Sequence, residues 1–318
     1  MGLEAWGGPR PAASQTRPRA SSLTLREMKQ LPMIAVGEGQ PLVMIPGVQG
    51  RWEWQRPALD ALSRRCRAVT YSLCGEPGTG CRLTLKDGFD VHVDQLDRVL
   101  DRYELDRVAL CGVSYGGWVA VRYAARRPER VSTLVLVSAP APTFKPDARH
   151  LRYMRAPWLF LPAFFVTTRR RLRPEVLKAL PDAVERRRLT RKQLAEMTRA
   201  PISPAVMARR IQLAMREDFA SDCTRIAAPT LVLTGESGLD RVVPVESTRK
   251  YLRLIPNAVG AELALTGHIG LVTRPEEWAD IVCGFVDRVR AWQDARRVAR
   301  PETALDQTLE EHGLAAEG

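Results

Sequence analysis

One short stretch carries the residue types that a nucleophilic reaction needs: Gly112-Val113-Ser114-Tyr115-Gly116, with a further glycine at Gly117. A serine between glycines at this spacing suits a sharp, strained turn, because a Cβ at either flank would collide with neighbouring backbone. Such a turn lifts the Ser114 Oγ clear of what surrounds it. Where a helix begins at the turn, its amide N–H groups can meet the oxyanion formed when the hydroxyl attacks an acyl carbonyl. The attack also needs a base to take the proton. Four histidines are available: His92, His150, His268 and His312. The plain alternative is a serine in a glycine-rich turn, and the flanking sequence decides between the two.

The flanks are those the chemistry requires. Val108 to Cys111 is a short β-branched and apolar run bounded by Gly112, which predicts a buried strand. Trp118 to Arg127 holds good helix formers, stopped by Pro128. The alternation extends along the chain. Leu31 to Val36 and Leu42 to Ile45 read as two early strands joined by a turn, and Ala68 to Ser72 as a third, left by the Gly/Pro loop Cys74 to Gly80. Val91, Val93, Leu96, Val99 and Leu100 recur at helical spacing, and Val131 to Val137 is apolar enough for a strand buried on both faces. From Pro140 to Ala220 the strand signal stops. Helical stretches there are punctuated by Pro157, Pro162, Pro174, Pro181, Pro201 and Pro204. Strands resume at Pro229 to Gly235 and at Ala258 to Leu265, and Pro275-Glu276-Glu277-Trp278 opens a helix to about Arg290. The pattern predicts an α/β protein, with a mostly parallel sheet flanked by helices through right-handed βαβ units. Residues 29–140 and 221–290 form its core, 141–220 a helical insertion, 1–28 a disordered tail and 291–318 a C-terminal extension.

Composition narrows the classes. The 318 residues are 45% hydrophobic and 26% charged, which suits a soluble globular protein. No apolar run approaches the roughly 18 residues of a membrane span, and the N-terminus lacks a signal peptide's apolar core, so a cytoplasmic location is expected. The six cysteines form no C-x-x-C pair and no cluster at metal-ligand spacing, and no metal or cofactor is expected. Cys74 and Cys81 stand close enough to bridge a loop, but free thiols are the expectation in a reducing compartment. A net charge of +12 would suit a nucleic-acid partner. Yet 42 of the 48 basic residues are arginine, as biased genome composition produces, and the surplus is local. Residues 142–220 hold 18 basic and 7 acidic side chains, a net of +11. No nucleic-acid partner is expected.

With Gly112 to Gly116 set between a strand and a helix, the chain resembles the α/β-hydrolase superfamily over about residues 31 to 290. The resemblance implies a nucleophile, acid and histidine in the order Ser…Asp…His. Asp240 matches the acid, four residues before Pro244 in Glu236-Ser237-Gly238-Leu239-Asp240-Arg241-Val242-Val243-Pro244; Glu236, just past the strand end, competes for the role. His268, in Thr266-Gly267-His268-Ile269-Gly270, matches the histidine segment, whereas His92 lies in a helical run, His150 in the insertion and His312 in the tail. Pro46-Gly47-Val48-Gln49-Gly50 stands where that family usually reads His-Gly-x. The N–H groups of Val48 and Tyr115 are thereby expected to form the oxyanion hole, with Pro46 a departure that bears on how the loop is anchored. In that family an insertion after the sixth strand forms a helical lid.

The expected reaction is cleavage of an ester-like acyl bond through an acyl-enzyme, on a small-molecule acyl substrate. The same residues would serve a C–C bond hydrolase, a thioesterase, a lactonase or an acyltransferase, and a small-ligand binding protein could keep the fold without turnover. Trp52 and Trp54 either wall a substrate pocket or pack a helix on the sheet, and Arg51 either binds a substrate anion or lies on the surface. Ala156 to Val166 is an almost wholly apolar run of 11 residues followed by Arg169-Arg170-Arg171 and Arg173. Three roles fit it: an inner lid face beneath solvated arginines, a cover for an acyl chain with an acidic head group, or a peripheral contact with an anionic membrane.

Overall fold

The computed structural model describes residues 32–298; the expected tail at residues 1–28 and the end of the extension lie outside them. Seven strands form one sheet: β1 (Met33–Val36), β2 (Pro41–Ile45), β3 (Arg67–Tyr71), β4 (Val108–Val113), β5 (Val131–Val137), β6 (Thr230–Thr234) and β7 (Ala258–Glu262). Their order is β1-β3-β2-β4-β5-β6-β7, and only the edge strand β1 runs antiparallel to its neighbour. The two early strands are therefore not partners, since β3 lies between them.

The central strands are buried on both faces because their side chains alternate between two cores. Val108 and Leu110 of β4 join one, and Ala109, Cys111 and Val113 the other. Helix α1 (Arg56–Leu62) covers the second core through Ala58, Leu59 and Leu62. Helices α2 (Val91–Arg102) and α3 (Tyr115–Arg126) cover the first through Val93, Leu96, Val99 and Val119.

After β5 the chain leaves the sheet for the helices α4 (Ala148–Arg155), α5 (Leu161–Ala179), α6 (Ala183–Arg199) and α7 (Pro204–Ala214), then the short α8 (Phe219–Thr224). The insertion thus follows the fifth strand of this sheet rather than a sixth. Asp182 and Ser203 accept backbone N–H groups as N-caps of α6 and α7. Pro162 and Pro204 sit in first turns, where no N–H is missed, but Pro174 lies inside α5, which runs through it.

Toward the C-terminal end, two boundaries differ from those read in the sequence. The last strand ends at Glu262, because the chain turns away at Leu265, where φ is +64°. The last helix, α9 (Pro275–Val298), continues past Arg290, and Gln293 Nε2 donates to Ser132 O at 3.0 Å. It covers the second core with Trp278, Val282 and Val286. No helix among the described residues is long and apolar enough to cross a membrane.

Candidate active site

Ser114 stands between β4 and α3 with φ +51° and ψ −118°. That region is costly for a non-glycine residue, by about 1–3 kcal/mol, and the surrounding backbone holds it. Its N–H donates to Val137 O on β5 at 2.8 Å. The turn packs so closely that a Cβ on Gly116 would lie 2.3 Å from Ile45 O and 2.7 Å from Pro46 O. Gly116 therefore lets α3 start directly against the exit of β2.

Asp240 is buried after β6. Its Oδ1 accepts the N–H groups of Val242 (3.0 Å) and Val243 (2.8 Å), and its Oδ2 lies 3.1 Å from His268 Nδ1. The close approach depends on Gly267, where a Cβ would lie 2.6 Å from Leu239 O and 2.8 Å from Asp240 N. With Nδ1 turned to the carboxylate, Nε2 is the ring nitrogen that can take up a proton. The structure thus joins His268 to Asp240. No hydrogen bond joins Ser114 Oγ to His268 among the described residues, although Val137, which holds the Ser114 N–H, also lines the crevice containing His268.

Glu236 does other work. Its Oε1 accepts Leu265 N–H at 2.6 Å, fixing the positive-φ turn out of β7, and its Oε2 meets Lys178 Nζ at 2.7 Å. Lys178 and Leu265 N–H hold its carboxyl below the usual range.

The loop after β2 is anchored from the insertion. Gly50 N–H donates to Gly47 O (2.9 Å) and Leu73 N–H to Gly50 O (2.7 Å). Arg210 of α7, wholly buried, donates from Nη1 to Val48 O (3.0 Å) and from Nη2 to Cys74 O (2.9 Å), and it pairs with Glu76 at 2.8 Å. An arginine fork from a distant helix fixes the loop in which Pro46 replaces the family's usual histidine. Glu76 sits in a loop closed by a Cys74–Cys81 disulfide, which corrects the expectation of free thiols there. Their Cα atoms lie 5.1 Å apart, within bonding reach.

The side chain of Tyr115 turns away from the loop. Its OH donates to Arg210 O at 3.2 Å and lies 3.1 Å from His92 Nε2, among Phe89 and Trp118. Burial drives His92 down to about 3, so it stays neutral and structural. Only the backbone of Tyr115 is left for chemistry.

Val48, Ser114 and Tyr115 open into a cavity of about 250 Å³ closed on its far side by the insertion, through Tyr153, Phe160, Phe164 and Met207. The lining is mainly apolar; besides Ser114, Tyr153 and Ser247 it holds His150, which pairs with Asp147, and Arg171, its one permanent charge among the described residues. Trp52 and Trp54 do not line it. Trp52 packs on the second core beneath Arg56, and Trp54 Nε1 donates to Ala200 O at 3.0 Å. Arg51 is paired with Glu53.

Glu175 carried no sequence signal. It projects from α5, fully buried, and both carboxylate oxygens lie within hydrogen-bond distance of Ile269 N–H (3.0 and 3.2 Å), one residue past His268. Burial pushes its carboxyl up to about 7, against the pull of the Gly267 and Ile269 N–H groups and of His268. With Lys178 on Glu236, it ties α5 to both loops that carry Asp240 and His268.

A strained serine between strand and helix that lines a cavity, and an Asp–His pair on the exits of the last strands, define a hydrolase-type α/β architecture. The profile of the alpha/beta hydrolase family matches residues 42–281, and the chain belongs to that family. It is 30% identical over 236 residues to the 2-hydroxy-6-oxo-2,4-heptadienoate hydrolase of Pseudomonas putida, covering 69% of this chain and 79% of that one. It is 25% identical over 265 residues to the pimeloyl-[acyl-carrier protein] methyl ester esterase of Nitrosomonas europaea, covering 79% and 97%. Among solved structures, an esterase of Exiguobacterium antarcticum superposes with a TM-score of 0.68 at 18% identity, over 81% of this chain and 95% of that one; this likeness concerns the fold.

Proposed function

We propose that the protein is a serine hydrolase that cleaves an ester-like acyl bond through an acyl-enzyme. Two observations support the reading: the strained Ser114 lines the cavity, and His268 is oriented by Asp240. In this scheme His268 Nε2 takes the proton of Ser114 as Oγ attacks the carbonyl, and the N–H groups of Val48 and Tyr115 hold the oxyanion. The histidine then protonates the leaving group, and water activated by the same ring releases the acid. The insertion acts as a lid that walls the acyl site and excludes water.

A second reading is favoured by Arg171. It is a cation in a mainly apolar cavity, without an ion-pair partner among the described residues, and so suits a substrate bearing an acidic group. The Pseudomonas putida relative is named for a dienoate. On an oxo-dienoate the same Ser114 attack at the oxo carbon would break a C–C bond. Water then supplies OH to the acyl carbon and H to the departing carbon. Turnover of nitrophenyl esters of graded chain length, set against oxo-dienoates, separates the two.

Ser114→Ala should lower turnover of either substrate class by at least about 10³-fold while leaving the melting temperature near the parent's. A fluorophosphonate probe should label the parent and not the variant. Near-parent turnover by the variant would remove Ser114 as nucleophile.

A further inference from the structure

Helix α5 departs from the pattern of a surface helix, which places apolar residues inward and polar ones outward. Its inward stripe is Phe164 and Arg171 at the cavity and Glu175 at the His268 loop. Its outward side is apolar for its first turns. Trp158 and Leu159, in the turn leading into α5, are 63% and 74% exposed, and Val166 is 59% exposed. Farther along the helix come Arg169, Arg170 and Arg173, all exposed and without an ion-pair partner among the described residues. Arg187, Arg188 and Arg191 of α6 are likewise exposed and unpaired among the described residues.

We propose that this face of the insertion seats on an anionic lipid surface. Trp158, Leu159 and Val166 would enter the headgroup region while Arg169, Arg170 and Arg173 meet lipid phosphates. Apolar area supplies one part of such binding and attraction to anionic lipid the other. The charge distinguishes this occupant from its rivals. A second copy packed symmetrically on the same face would set these arginines against their own copies in a low-dielectric contact. A nucleic acid would take the arginines but leave Leu159 and Val166 uncovered. A spanning segment is excluded by length, since the apolar run has 11 residues.

The test uses the full chain, with phosphatidylcholine vesicles with and without phosphatidylglycerol, at low and high salt. The chain should sediment with the anionic vesicles at low salt and be released as salt rises. R169Q/R170Q/R173Q should weaken partitioning by about 100-fold, at about fivefold per arginine. W158S/L159S should also weaken it, and both variants should hydrolyse a water-soluble ester at the parent rate, since none of these residues lines the cavity. Absence of sedimentation at low salt, equal binding to neutral vesicles, or binding untouched by W158S/L159S would overturn the proposal. So would a dimer, seen by light scattering, that W158S/L159S dissolves, because the face would then belong to a second copy.

Discussion

Asp240 and Glu236 lie four residues apart in sequence, yet their carboxylates hold different things. Asp240 is braced by two backbone N–H groups and offers its other oxygen to His268 Nδ1, whereas Glu236 is occupied by Leu265 N–H and Lys178. Asp240→Asn should therefore cost about 10³–10⁴ in kcat through loss of the correct tautomer, and Glu236→Gln less than about tenfold. Steady-state kinetics of the two variants checks the ranking, and the reverse order would move the acid to Glu236. Glu175 carries a pH signature of its own. Its carboxyl sits at about 7 in the folded protein, chiefly through burial and with His268 and Asp240 as its charged neighbours, against about 4.3 for a glutamate in an unfolded chain. Between those values the folded state binds a proton that the unfolded state has released. The stability this proton provides is present below about pH 4 and lost as pH rises through about 7, by on the order of 3 kcal/mol. Urea unfolding of the parent and of Glu175→Gln at pH 4.5 and pH 7.5 should show that extra loss in the parent alone; parallel changes would mean that Glu175 titrates normally.

The strands could be read from the chain because each central one is a continuous apolar run; Val131 to Val137 needs no partner to declare itself. The glycine-flanked serine and the Gly-His segment were legible for a related reason, since close backbone approach leaves its mark in residue type. Other features form only across distance. Arg210 reaches Val48 over 162 positions, and Glu175 reaches Ile269 over 94. An arginine and a glutamate among many helical charges give no local sign of burial. Pro174 likewise suggested a break that α5 does not make, because a proline removes one N–H and the turns on either side persist. The α7 anchor is testable. Arg210→Met leaves Glu76 buried without its counter-charge and should cost about 3–5 kcal/mol, most of which the double change Glu76→Leu with Arg210→Met should recover. Denaturant midpoints measure both, and an additive double variant would show that the pair is not coupled.

Across the whole molecule, covalent closure is confined to one small loop. Four cysteines are free and buried, and Cys74 is bonded to Cys81. Thiol titration in denaturant should count four thiols without reductant and six with it; six in both would leave the Glu76 loop held by Arg210 alone. The insertion has a different kind of independence. Because β5 and β6 are parallel neighbours in the sheet, with Leu134 opposite Thr230, everything between them is one crossover, leaving the C-terminal end of β5 and crossing to the N-terminal end of β6. The span could be exchanged for a foreign one without disturbing a single ladder, so substrate range can drift while the scaffold stays fixed. The exchange is keyed, however. A transplanted span lacking an acid at the place of Glu175 would leave the Ile269 N–H without its acceptor, and one lacking an arginine at the place of Arg210 would strand Glu76. Only grafts that bring both pegs would fit.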